Sequence, residues 1–176
     1  MTSAELLQQQ LATTRKKPKG VKQDVSNGVQ YNAELQRIVR AVNKDINTYV
    51  MPTVRDLAPE YTADSILVTV NDTWVDVLTG TLDAIRARWS SLAFQRLASD
   101  ISRKFVRTAN TSNLKRTERN LGINIYSDSQ ELNDYIELSV RDNTRLIMSI
   151  PDQYLTQVES IVLTNVRAGG RPAAIA

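Results

Sequence analysis

The 176-residue sequence contains no histidine and no cysteine. Zinc fingers, thiol nucleophiles, Cys-His dyads and the Ser-His-Asp triad each need a ligand or base that is not encoded here, so these chemistries are excluded together. No disulfide can form, and the fold must hold by packing alone. Six glycines and five prolines are too few for a sandwich or barrel, which needs a turn about every ten residues. Aromatic residues make up 6% and apolar residues 41%, below the roughly 45–50% of ordinary globular usage, and this predicts a thin core. No uninterrupted apolar run approaches the ~18 residues that cross a bilayer, so no membrane partner is expected. The opening "MTSAELLQQQLATTRKKPKG" places its basic cluster after its apolar residues and is not patterned as a signal peptide.

What is present is charge, unevenly placed. The net charge is only +3. Residues 1–23 nevertheless carry Arg15, Lys16, Lys17, Lys19 and Lys22 against Glu5 alone, and residues 102–121 carry Arg103, Lys104, Arg107, Lys115, Arg116 and Arg119 against Glu118 alone. Residues 128–159 reverse the sign, with seven acids against Arg141 and Arg145. Polarity is therefore regional.

Hydrophobic periodicity points to helices throughout. Thr2 with Glu5 forms a capping-box pattern before Leu6, Leu7 and Leu11, a short stripe that needs a partner surface to be stable as a helix. Residues 15–29 hold proline, two glycines and charge and are expected to form a linker or arm. From Asn32 onward, Leu35, Ile38, Val39, Val42, Ile46, Tyr49, Val50, Val54 and Leu57 follow helical spacing, with Pro52 expected to kink or restart the helix. Residues 65–89 include "ILVTV", which suits a strand equally well. The face Ile66, Val70, Trp74, Val77, Leu78, Leu82, Ile85 and Trp89 favours a helix. A further helix is expected from about Ser91 to Ala109, and the spacing leaves open whether Trp89–Ser91 breaks or bends the chain. "NTSNLKRTERNLGINIYSDSQ" then marks a transition. Beyond it, a helix should stop before Pro151, and Pro151 should open the next at its favoured first position, ending at Gly169 and Gly170. The expected architecture is all-α: an elongated helical bundle with a docking helix and basic arm in 1–30, long amphipathic helices in 31–119 and a helix-elbow-helix unit in 120–176.

One segment resembles a known family. "VRDNTRLIMSIPDQYLTQVESIVLTNVRAGGR", residues 140–171, is similar to the signature region of phage head morphogenesis proteins, the minor head proteins of the Mu F type. The likeness is carried by Asn143, Leu146, Ile147, Ser149, Ile150, Pro151, Tyr154, Val158, Val162, Arg167 and Gly169, preceded by "NLGINIYSDSQELNDYI". It covers about residues 120–171, is generic over 30–119 and is absent from the first thirty. The resemblance implies a structural component of a virion, held inside the head at the portal vertex after assembly in the host cytoplasm. Its implied partners are the portal protein ring, packaged double-stranded DNA, and the major capsid or scaffolding protein, with a role in head assembly and DNA ejection. Members of the family carry a sizeable C-terminal portion after this helix pair, and any activity residing there is not attributable to the residues present.

Candidate partner-binding residues are Leu6, Leu7 and Leu11 in the first stripe and Leu146, Ile147, Ile150 and Tyr154 around Pro151. The bland reading of the second group is the core of a helical hairpin. Candidate DNA-phosphate contacts are Arg15, Lys16, Lys17, Lys19 and Lys22 in the arm, and Arg103, Lys104, Arg107, Lys115, Arg116 and Arg119 in the second basic segment. Charge runs of this kind are most often a solvated helix face, and with Phe105 the one aromatic nearby, base stacking is not expected. Asp72 with Asp76, and Glu131 with Asp134, share helix faces, but surface acids at such spacings are ordinary. No glycine-rich phosphate loop and no cofactor motif is found. The expectation is a protein that acts by association and not by turnover, with a small non-specific DNA-binding module as the competing class.

Overall fold

The computed structural model describes residues 25–57, 73–122 and 130–167. Every element among them is helical: α1 (Val25–Asp45), a π segment (Ile46–Val50), α2 (Met51–Leu57), α3 (Thr73–Trp89), α4 (Leu92–Leu121) and α5 (Gln130–Arg167). The all-α class is thus as the periodicity indicates. The first stripe and arm through residue 24, the "ILVTV" stretch, the "INIY" stretch and the helix end expected at Gly169 and Gly170 lie outside the described residues. Residues 25–29, expected in the linker, instead form the first turns of α1.

The described residues divide into two compact units: 25–34 with 98–122 and 130–145, and 35–57 with 73–97 and 146–167. In the second unit, Ile38, Val42, Ile46, Val50 and Val54 recur every four residues and all are buried. A four-residue step overshoots a 3.6-residue turn by about 40°, so four such steps would carry the stripe about 160° around an ideal helix. The π segment takes up much of this drift. The Met51 N–H reaches back to the Ile46 carbonyl, and the extra residue in that wide turn returns about 100°. The same widening accommodates Pro52, whose ring would otherwise press on the carbonyl four residues earlier. The run stays helical through Pro52, and regular α winding restarts at Met51, directly after the π segment and one residue before the proline.

Trp74, Leu78, Leu82 and Ile85 supply the buried face of α3, joined in this core by Phe94, Ile147, Pro151, Leu155 and Val162. Tyr49 and Val77 of the expected faces are exposed instead, as are Leu92 and Leu97 of α4, because the buried arc is narrower than the apolar pattern. At the end of α1, Asp45 is buried and accepts hydrogen bonds from Trp89 Nε1 at 2.9 Å and Arg88 Nη1 at 3.0 Å. Trp89 in turn meets the Phe94 ring edge-on at 5.0 Å. Between them the chain does break: Ser90 and Ser91 separate α3 from α4. Ser91 acts as the N-cap, its hydroxyl accepting from the Phe94 N–H at 3.4 Å.

Pro151 lies inside α5 and does not begin a new helix. The helix-stop rule for proline reflects a lost donor and a steric clash, and packing overrides it here. Pro151 is fully buried. The turn that follows is tied to α3 through Arg86, whose guanidinium meets Asp152 at 3.3 Å and Glu159 at 2.7 Å. α4 likewise runs 12 residues past the expected end at Ala109, through Leu121. Its polar continuation is rich in good helix formers such as Leu114, Lys115, Arg116 and Glu118. Gly122 stops it in the left-handed region at φ 68, with its N–H on the Glu118 carbonyl at 2.8 Å.

Candidate interaction surfaces

The first unit carries the second basic segment. Its core is thin: among the described residues, only Ala98, Ser102 and Val140 are buried there. Polar bonds supplement them. Tyr31 stacks on Phe105 with ring centres 4.1 Å apart and donates through its hydroxyl to Asn143 Oδ1 at 3.3 Å. Asn27 Nδ2 donates to the Phe105 carbonyl at 3.0 Å, and the buried Ser102 hydroxyl donates to the Ala98 carbonyl at 2.7 Å. Burial raises the Tyr31 phenol above its ordinary value of 10.0, because the charged form would lose solvation.

On α4, Arg103, Lys104, Arg107, Lys115 and Arg119 are exposed. The helix places Arg103 and Arg107 one turn apart, where both face a single carboxylate of α5: Glu137 lies 3.3 Å from Arg107 and 3.9 Å from Arg103. Beside them α4 and α5 bound an open cleft of about 700 Å³, lined among others by Arg107, Asn110, Thr111, Lys115 and Glu118 of α4 and by Asn133 and Glu137 of α5. Arg116 is half-buried, and Arg119 Nε donates to the Lys115 carbonyl at 3.1 Å. Glu137, one of the seven acids of the 128–159 run, is therefore engaged by the basic segment itself. The sequence signs were readable; their pairing was not, since it depends on how α4 and α5 are registered.

In the second unit, the four residues grouped around Pro151 separate. Ile147 is fully buried, Ile150 and Tyr154 are half-buried, and Leu146 is 63% exposed. Ile161, on the same helix, is exposed as well. A small, partly open pocket of about 200 Å³ lies against Pro151, bordered by Arg86, Trp89, Met148 and Asp152. Arg86 is held charged principally by its hydrogen bond to Glu159, with Asp83 and Asp152 adding to it against the opposing effect of burial; its pKa is raised accordingly. A second, shallower groove of about 520 Å³ runs along α3 past Val77, Gly80, Thr81 and Ala84 to Tyr49.

The remaining candidates, Leu6, Leu7, Leu11, Arg15, Lys16, Lys17, Lys19 and Lys22, lie outside the described residues. Asp76 and Glu131 are exposed, and among the described residues no group of three or more acids is arranged to hold a metal ion. No helix among them is long and apolar enough to cross a membrane. Comparison with profiles of known protein families, with curated proteins and with solved structures finds no match.

Proposed function

We propose that this chain is a structural minor head protein of a tailed phage, docking on the portal ring at the head vertex inside the capsid and acting in assembly and DNA ejection without turnover of a substrate. The observation that carries the reading is the Asn143-to-Gly169 pattern, together with Leu146 standing exposed beside buried Ile147 on the helix that bears it. An exposed leucine next to a core-facing neighbour suits a contact surface that is covered only in an assembly. Thin cores fit the same role, since burial is completed against another molecule.

The test is co-migration of purified chain with the portal ring encoded alongside it, at moderate salt. A stable complex that is weakened by Leu146→Asp supports the reading. Absence of any complex, with DNA retained instead, favours the DNA-binding module. The exposed bases of α4 favour that second reading to some degree, and phosphate contact is compatible with both.

A further inference from the structure

Among the described residues from Arg103 to Arg119, α4 carries six bases and one acid, Glu118, yet its Arg103 and Arg107 are turned toward Glu137. This arrangement is loose. One carboxylate is shared by two arginines at 3.3 and 3.9 Å, and all three side chains are about half exposed. Ion pairs of this kind are weak and exchange readily for a stronger anion.

We propose that the α4 face and its adjoining cleft receive the phosphate backbone of duplex DNA, and that Glu137 restrains this binding by occupying Arg103 and Arg107 itself. The inference rests on the phosphate-contact reading of the basic segment and is independent of portal docking. Three observations support it. Besides Arg107 the cleft offers the neutral donors Asn110, Thr111 and Asn133 and the cation of Lys115, with Glu118 the acid that shares the lining with Glu137, and phosphate oxygens accept from all of these donors. Arg103 and Lys115 are separated by a helical rise of about 18 Å, which matches about five steps of one strand at 3.4 Å per phosphate. Phe105, the aromatic nearest the stripe, is already stacked on Tyr31, so the face can follow a backbone without stacking on bases. A stiff duplex suits a helical stripe better than a flexible polyanion does.

The test is fluorescence anisotropy with a labelled 30-base-pair duplex between about 50 and 200 mM salt. Glu137→Gln is compared with Glu131→Gln, which removes the same charge from an exposed position on the same helix. Glu137→Gln is expected to bind at least threefold more tightly than Glu131→Gln at the lowest salt, with its log–log salt slope steeper by about 0.9 for each phosphate newly engaged. Lys115→Gln should make the slope shallower by a similar amount. In an Arg103→Gln/Arg107→Gln background the extra gain from Glu137→Gln should vanish, and circular dichroism confirms that each variant is helical. Equal behaviour of the two glutamate variants overturns the restraint by Glu137. Failure of every form to bind at the lowest salt overturns the phosphate-contact reading itself while leaving portal docking untouched. Equal affinity for inorganic polyphosphate of matched charge overturns the duplex as the ligand.

Discussion

Replacing Pro151 by alanine separates two accounts of the longest helix, because they predict opposite signs. With Pro151 inside α5, alanine restores a donor for the Ile147 carbonyl and removes the ring's clash with the preceding turn, relieving about 3 kcal/mol. Against this, the ring is fully buried, and its two extra methylenes contribute about 0.8 kcal/mol each. The balance is a gain of about 1.4 kcal/mol from these values, reduced if the small pocket beside Pro151 enlarges without collapsing. For a chain of this size that corresponds to a rise in Tm of about 3–6 °C. If Pro151 instead opened a separate helix, its ring would be at a favoured position. Alanine would then lose both the buried contacts and the restriction of the unfolded chain, a loss of about 2 kcal/mol or more. Urea and thermal melts followed at 222 nm give the sign directly. A clear destabilisation would refute the continuous helix.

Other consequences can be checked by the same melts. Asp45→Ala removes a buried acceptor from Trp89 and Arg88 and should cost about 1–3 kcal/mol, whereas Arg88→Ala, whose side chain is 63% exposed, should cost under about 1 kcal/mol. Leu78→Ala and Leu155→Ala empty fully buried positions and should each cost about 2–5 kcal/mol; a smaller loss would mean that the sites collapse. Arg86→Met leaves Glu159 and Asp152 without their shared cation and should cost about 1–2 kcal/mol. The raised Tyr31 pKa means that its neutral form favours the folded state, so this contribution is fully present below pH 10 and is lost as pH rises through the higher folded value. Tyr31→Phe should flatten that alkaline decline in stability, and an unchanged decline would exclude Tyr31 as its source.

The helical class was legible because apolar spacing reports burial without reference to partners. Ile38, Val42, Leu78, Leu82 and Ile85 sit on packed faces as their positions imply. What failed were local rules with a tertiary exception. Pro151 reads as a boundary only if nothing else holds its helix, and Arg86 supplies that hold from 65 residues away in sequence. The strict four-residue repeat from Ile38 to Val54 was a usable sign of the π segment, since it exceeds the α period at every step. No comparable signal marked Asp45, whose partners are Arg88 and Trp89, or Glu137, whose arginines lie on another helix. Such pairings require knowledge of how elements are registered, which one-dimensional patterns do not contain.

The wide turn at Ile46–Val50 makes this stretch sensitive to chain length in a way substitutions would not reveal. Deleting one residue there would restore regular winding and swing Val54 and everything after it by about 100° around the axis, taking the hydrophobic side toward solvent and returning Pro52 to a steric conflict. A point change at exposed Asn47 would leave that angular bookkeeping intact. Single-residue deletions should therefore be rejected at these five positions although several of their side chains face water.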